Sequence, residues 1–122
     1  LGQDNLPAFW SARSNLLSPL RLDSAEDIAA FQKRREALGI GGGVLVANPI
    51  PAGHEIPAFE MKTYIDAALA AANEDGVSGK AVTPFLLSKI LELTQGRSLT
   101  ANIALVENNA RLAARIAGAL AI

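Results

Sequence analysis

No cysteine occurs among the 122 residues, which excludes disulfides and thiolate metal sites and is compatible with a reducing compartment. Aromatic residues make up only 5% of the chain, and there is one histidine, His54. It sits in a Pro/Gly loop beside Glu55 and reads as solvent-exposed rather than as a base or a ligand. Neither sign of charge is in excess: 11 basic and 12 acidic residues leave a formal net charge of -1. That balance gives no electrostatic case for a nucleic-acid or membrane-surface partner. No apolar run approaches the roughly 18 uninterrupted residues of a membrane span, and nothing has the form of a signal peptide. The expectation is a soluble, cytoplasmic chain, one domain or a piece of one.

What is present in quantity is aliphatic surface. Half of the residues are hydrophobic, so with few aromatics the apolar area is spread over Ala, Leu and Ile on short helices. Small domains bury a modest fraction of their surface, and a chain of this size would expose large apolar patches unless another segment covers them. Together with a start at Leu1-Gly2-Gln3, this leads us to expect a portion of a larger fold.

In chain order, Leu1–Asn15 reads as an irregular connection, broken by Pro7 and the polar run Ser11–Asn15. The pair Phe9-Trp10 reads as a core plug rather than a stacking platform, and Arg13 and Ser14 as a solvated loop. Leu20-Arg21-Leu22 alternates as a short strand would. Ser24 is placed to cap a helix through about Leu38, with Glu26 and Asp27 in its first turn, Lys33-Arg34-Arg35 late and Gly39 as its stop. The glycines at 39 and 41–43 precede an apolar run instead of following a strand and opening a helix, so a phosphate-loop reading fails on order. That run, Gly43–Asn48, has the continuous apolar character of a buried parallel strand. Asn48 then falls at its C-terminal end, either where ligands of open α/β sheets bind or in a turn that simply closes the strand.

Pro57 can open a helix to about Ala72, whose stripe is Met61, Ile65, Ala68, Leu69 and Ala72. Ala67, Ala70 and Ala71 widen its apolar surface so far that packing on two sides is expected. After the polar stop Asn73–Gly79, Ala81-Val82-Thr83 reads as a minimal strand or bend. Pro84 opens a helix Phe85–Thr94, and Gly96 separates it from a last helix capped by Ser98 and running to about Leu120. The alternation of strand and helix gives an α/β class.

The last helix carries an apolar stripe, Leu99, Ile103, Val106, Ala110 and Ala113, and a mixed one, Asn102, Leu105, Asn109, Leu112 and Ile116. Two carboxamides thus sit two turns apart among aliphatic residues, where an unpartnered donor or acceptor costs roughly 1–3 kcal/mol. Neighbouring backbone or a ligand must satisfy them.

The blocks KAVTPFLL (Lys80–Leu87), GRSL (Gly96–Leu99) and NIALVENNARLAA (Asn102–Ala114), preceded by LPAFWSARSN (Leu6–Asn15), PLRLDS (Pro19–Ser24) and GGGVLVANPIP (Gly41–Pro51), closely resemble the C-terminal part of pseudouridine-5'-phosphate glycosidases in order and spacing. The resemblance covers nearly the whole chain. It implies that residues 1–122 are the C-terminal portion of a larger single α/β/α domain with a mostly buried central sheet, helix-rich in this portion, the N-terminal catalytic part lying outside it. It further implies reversible cleavage of the carbon–carbon glycosidic bond of pseudouridine 5'-phosphate to uracil and ribose 5-phosphate, and a trimeric assembly. The family is understood to work through a lysine Schiff base, a proton-moving carboxylic acid and a divalent metal, usually manganese. A lysine suits this chemistry because its amine can form an iminium that acts as an electron sink.

None of those catalytic or metal-binding motifs maps onto these residues, so neither Lys80, Lys89 nor any carboxylate here is nominated as catalytic, and no metal ligand is. What remains is recognition of the base. Uracil presents an acceptor–donor–acceptor edge that one carboxamide can meet with both an N–H and a C=O. Asn102 is the leading candidate; Lys80, Thr83 and Asn48 are further candidates for lining the substrate pocket, each with a packing or capping role as its alternative. Asn109, deeper in the helix, reads as structural. Two other readings stand beside this one: a related C-ribosylating enzyme with a different acceptor, and a non-catalytic assembly or folding module.

Overall fold

The computed structural model describes all residues from Leu1 to Ile122. Four helices carry it: α1 (Ala25–Ala37), α2 (Ala58–Glu74), α3 (Val82–Leu93) and α4 (Arg97–Ala121), with single 3-10 turns at Ala52–His54 and Gly79–Ala81. At 25 residues, α4 is about 37 Å long and serves as the spine. Its first half closes on a core of Ile50, Ile56, Met61, Ala68, Ile90 and Ala101. Its second half packs against α1, where the Lys33 ammonium donates to the Ala119 carbonyl at 3.1 Å. Ile28 and the small residues Ala25 and Ala29 are buried on α1, which lets the two backbones approach.

The helix ends follow from local chemistry. Ser24 caps α1 by accepting the Asp27 N–H at 3.0 Å. Three helices then end in the same double turn, with 6→1 and 5→2 hydrogen bonds: Ile40 to Arg35 and Gly39 to Glu36, Val77 to Ala72 and Gly76 to Asn73, Gly96 to Leu91 and Gln95 to Glu92. The turn needs a left-handed residue. Gly39 (φ 68°) and Gly76 (φ 65°) supply it without a side-chain penalty, whereas after α3 the position is held by Gln95 at φ 53°.

Several expectations are corrected here. Ser98 does not cap α4; the helix starts after Gly96 in a left-handed conformation (φ 85°), and Ser98 lies buried inside the first turn. The capping acceptor comes from the preceding helix instead. The buried Thr94 hydroxyl donates to the Ile90 carbonyl at 2.7 Å and accepts the Ser98 N–H at 3.1 Å, so one side chain joins the end of α3 to the start of α4. Ala81-Val82-Thr83 is neither strand nor bend: the 3-10 turn Gly79–Ala81 runs directly into α3, and Pro84 fits inside the first turn, where its missing N–H has no intrahelical acceptor to lose.

The strands expected at Leu20–Leu22 and Gly43–Asn48 form no ladder within these residues. Pairing is confined to one isolated antiparallel bridge, Asn5 with Leu17. Gly2 N–H reaches the Leu22 carbonyl at 2.9 Å, and the Leu1 ammonium donates to the Ala47 carbonyl at 2.5 Å. A strand is a property of a pair, and no ladder forms along 43–48 within these residues; Leu45 is 95% exposed. The helix-rich part of the α/β expectation is what these residues display.

On α2, Met61, Ala68 and Ala72 are buried as the stripe requires, while Leu69 and the alanine side at Ala67 and Ala70 face outward. On α4 the mixed stripe turns inward, with Leu112 buried and Leu105 and Ile116 partly so, and Leu99, Ile103 and Val106 stay at least half exposed.

Candidate functional site

Beside the first turns of α4, a cavity of about 270 Å³ is lined by Phe9, Trp10, Leu87, Ser88, Leu91, Ser98, Leu99 and Asn102. Each wall has a local cause. Leu87, Ser88 and Leu91 share one face of α3 because they lie three to four residues apart. Ser98, Leu99 and Asn102 do the same on α4, and the double turn at Gln95-Gly96 sets the two helices at an angle that leaves space between those faces.

The third wall is the loop carrying the aromatic pair. Trp10 packs against the core, and its carbonyl accepts the Ile56 N–H at 2.8 Å. Ser11 Oγ donates to the Ile56 carbonyl at 2.6 Å, and the Ala12 N–H donates to the Glu55 carboxylate at 2.8 Å. The core-plug expectation therefore holds for Trp10. It fails for Phe9, a residue 50% exposed that lines the cavity and meets Trp10 in a T-shaped contact, 4.6 Å between centroids at 76°.

The four candidate binding residues fall into separate places. Asn102 lines the cavity, half-buried, and its carboxamide has no hydrogen-bond partner within the chain. Thr83 lies on α3 one turn before Leu87, on the same face, with its side chain exposed. Lys80 is exposed on the 3-10 turn ahead of α3. Asn48 is away from all three: its Nδ2 donates to Asn109 Oδ1 at 3.0 Å, in a second concave region lined by Val44, Val46, Leu112 and Ile116. The burial expected of both carboxamides is not found: Asn109 is exposed and paired with Asn48, and Asn102 is half-buried with no partner in the chain. Asn108 adds a long bond from Nδ2 to the Pro49 carbonyl, 3.4 Å.

Phe9 and Ser88 are cavity residues that were not nominated from the sequence. The signal for Ser88 was available in its one-turn spacing from Leu91 and Pro84, since a serine between leucines on one helix face has to meet a polar partner or water.

A third, polar cavity of about 330 Å³ lies between the Gly53–Ile56 turn and the start of α4, lined by His54, Glu55, Gln95, Arg97 and Thr100. Beside it the Arg97 guanidinium donates to the Glu60 carboxylate, joining α4 to α2. This hydrogen bond holds the Glu60 carboxyl below its ordinary range and raises Arg97 above its own, with Tyr64 as a weaker donor to Glu60. No group of three or more His, Asp or Glu side chains is arranged to hold a metal ion. The residues of this chain therefore do not fit the divalent metal that the family resemblance implies, and no step is derived through it. No helix is long and apolar enough to cross a membrane.

The chain belongs to the family described as Indigoidine synthase A like protein, whose model matches residues 1–119. Within it, the chain is 66% identical over 119 residues to a pseudouridine-5'-phosphate glycosidase of Mesorhizobium japonicum, covering 98% of this chain and 39% of that protein. A pseudouridine-5'-phosphate glycosidase of Dinoroseobacter shibae is 64% identical over 117 residues, 96% of this chain and 38% of the relative. The chain thus spans about two-fifths of the length of the curated relatives it matches. Among solved structures, the prealnumycin C-glycosynthase AlnA in complex with ribulose 5-phosphate shares the fold at a TM-score of 0.86 and 25% identity, over 98% of this chain and 39% of that one.

Proposed function

We propose that this chain is the base-recognising portion of an enzyme that reversibly cleaves the carbon–carbon glycosidic bond of pseudouridine 5'-phosphate, giving uracil and ribose 5-phosphate. The observation that carries the reading is Asn102: in a block that resembles the glycosidases, its carboxamide faces a cavity without a partner from its own chain. A carboxamide offers a donor and an acceptor side by side, which match two adjacent positions on the uracil edge. Leu87, Leu91, Leu99 and the Phe9 ring supply apolar walls for the faces of a planar ring. The lysine that forms the Schiff base, the carboxylic acid and the divalent metal, manganese, belong to the remainder of the protein, and this chain by itself is inactive. Trimeric assembly and a cytoplasmic location are part of the same proposal.

The test is made in the longer protein that carries this chain, run in the direction of synthesis so that the two Michaelis constants are read separately. Asn102→Asp loses the amide donor and places charge beside an acceptor; Asn102→Leu loses both hydrogen bonds at similar volume. Each should raise the constant for uracil by the equivalent of about 1–3 kcal/mol and leave that for ribose 5-phosphate nearly unchanged. Equal effects on both constants in a folded protein would return Asn102 to a structural role.

The likeness to a C-glycosynthase favours a second reading, in which the same ribosyl chemistry serves an acceptor other than uracil. Identity of 60–66% to several proteins named as pseudouridine-5'-phosphate glycosidases, against 25% to the glycosynthase, supports the first. Offering uracil and a larger aromatic acceptor in competition separates the two.

A further inference from the structure

We propose that Phe9 is the surface on which the base stacks, and that it gives the site its preference for an aromatic pyrimidine over a saturated one with the same hydrogen-bonding edge. The inference rests on the reading that the cavity beside Asn102 takes the base, and adds to it the residue that recognises the face of the ring. An amide reads only an edge. Uracil and 5,6-dihydrouracil present the same acceptor–donor–acceptor edge to Asn102 and differ in planarity and in the π-face.

The geometry points to Phe9 for three reasons. Its ring is half exposed at the cavity while its neighbour Trp10 packs on the core, so the pair divides into an anchor and a free face. The two rings meet in a T-shaped contact, 4.6 Å between centroids at 76°, which helps to fix the orientation of Phe9. The loop that carries it is held at Trp10, Ser11 and Ala12 by hydrogen bonds to residues 55 and 56, so the face is presented with little freedom to lose on binding. A cavity of about 270 Å³ lies just under the range of about 300–1,000 Å³ typical of drug-sized ligands, as suits a single ring. No other aromatic residue besides Trp10 lines it.

The experiment measures dissociation constants for uracil and for 5,6-dihydrouracil by calorimetry on the longer protein, in the wild type and in Phe9→Leu, Phe9→Met, Phe9→Tyr and Asn102→Leu. Stacking on an aromatic predicts that the two non-aromatic variants bind uracil about tenfold more weakly and dihydrouracil within twofold of wild type, so the preference collapses. Phe9→Tyr keeps it. Asn102→Leu weakens both ligands alike, which separates the edge from the face. Leu and Met keep most of the volume at a half-exposed position, and a thermal melt of each variant confirms folding. A uracil dissociation constant within twofold of wild type in either folded non-aromatic variant overturns the role of Phe9; if Asn102→Leu still weakens binding, the base-pocket reading survives. Unchanged binding in both Phe9→Leu and Asn102→Leu overturns the two together.

Discussion

Replacing Ser11 by alanine removes one hydrogen bond from the place where the aromatic loop is fastened to the core. Ser11 and Ile56 are both buried, with relative exposures of 5% and 1%, and the hydroxyl donates to the Ile56 carbonyl at 2.6 Å. That carbonyl precedes α2 and has no other partner within the chain. The loss therefore has two parts: a net hydrogen-bond contribution of about 0.5–1.5 kcal/mol, and the cost of leaving a buried carbonyl unpaired, which brings the total to about 1–3 kcal/mol. The backbone bond from Ile56 N–H to the Trp10 carbonyl remains, so the loop is loosened and not released. Trp10 is the single tryptophan of the chain and reports on this loop directly. In urea, with a slope of about 1–3 kcal/mol/M for a small protein, its fluorescence midpoint should fall by roughly 1 M. Ser18→Ala serves as the matched control: Ser18 Oγ donates to Leu20 O at 2.7 Å, but at an exposed position, and its loss should stay within about 0.5 kcal/mol. Equal, small effects for the two serines would refute the claim that burial of the Ile56 carbonyl gives the Ser11 bond its weight.

Two further outcomes follow from the helix junctions. Thr94→Val keeps the shape of a buried side chain, strands the Ser98 N–H at the start of α4, and should cost about 1–2 kcal/mol in thermal or urea unfolding; no loss would mean that the N–H is otherwise satisfied. The Glu60–Arg97 pair should leave a signature in acid. Because the folded carboxyl sits below its unfolded value, its contribution is fully present above the ordinary glutamate range and is lost as pH falls through the lowered folded value. The difference in melting temperature between wild type and Glu60→Gln should therefore be larger at pH 7 than at pH 3, and a difference independent of pH would contradict the pairing.

The parts of the fold that were legible in the sequence are those fixed by local rules. Ser24, Gly39 and Pro57 mark helix ends through the hydrogen bonds or dihedral angles of a few neighbouring residues, and each marks the end it was expected to mark. Ser98 misled because two hydroxyls, Thr94 and Ser98, stand within one turn of the α4 start, and which of them caps depends on how α3 ends. That in turn depends on Gln95 accepting a left-handed conformation, which is not a glutamine preference. The strand expected at Gly43–Asn48 finds no ladder within this chain, for a different reason. Apolar character and β-branching report that a segment fits a sheet, but the ladder of hydrogen bonds comes from a neighbouring strand, and within residues 1–122 no such ladder forms.

The candidate site divides along the same line. Asn102 and Asn109 look equivalent in sequence, two turns apart on one stripe, and equal polarity in an apolar setting flagged both. Depth along the helix already favoured a structural reading of Asn109, and the structure gives it a partner 61 residues away, Asn48. Asn48 was itself a binding candidate, on the strength of ending a presumed strand; it lies outside the cavity beside Asn102 and donates to the exposed Asn109. Asn102 keeps its hydrogen-bonding capacity, lining a cavity that Phe9 also lines. Asn102 is half-buried and its amide atoms remain open to water. The helix, the loop and α3 come close to it without supplying a partner, so its donor and acceptor are free for water or, on the proposed reading, for the base.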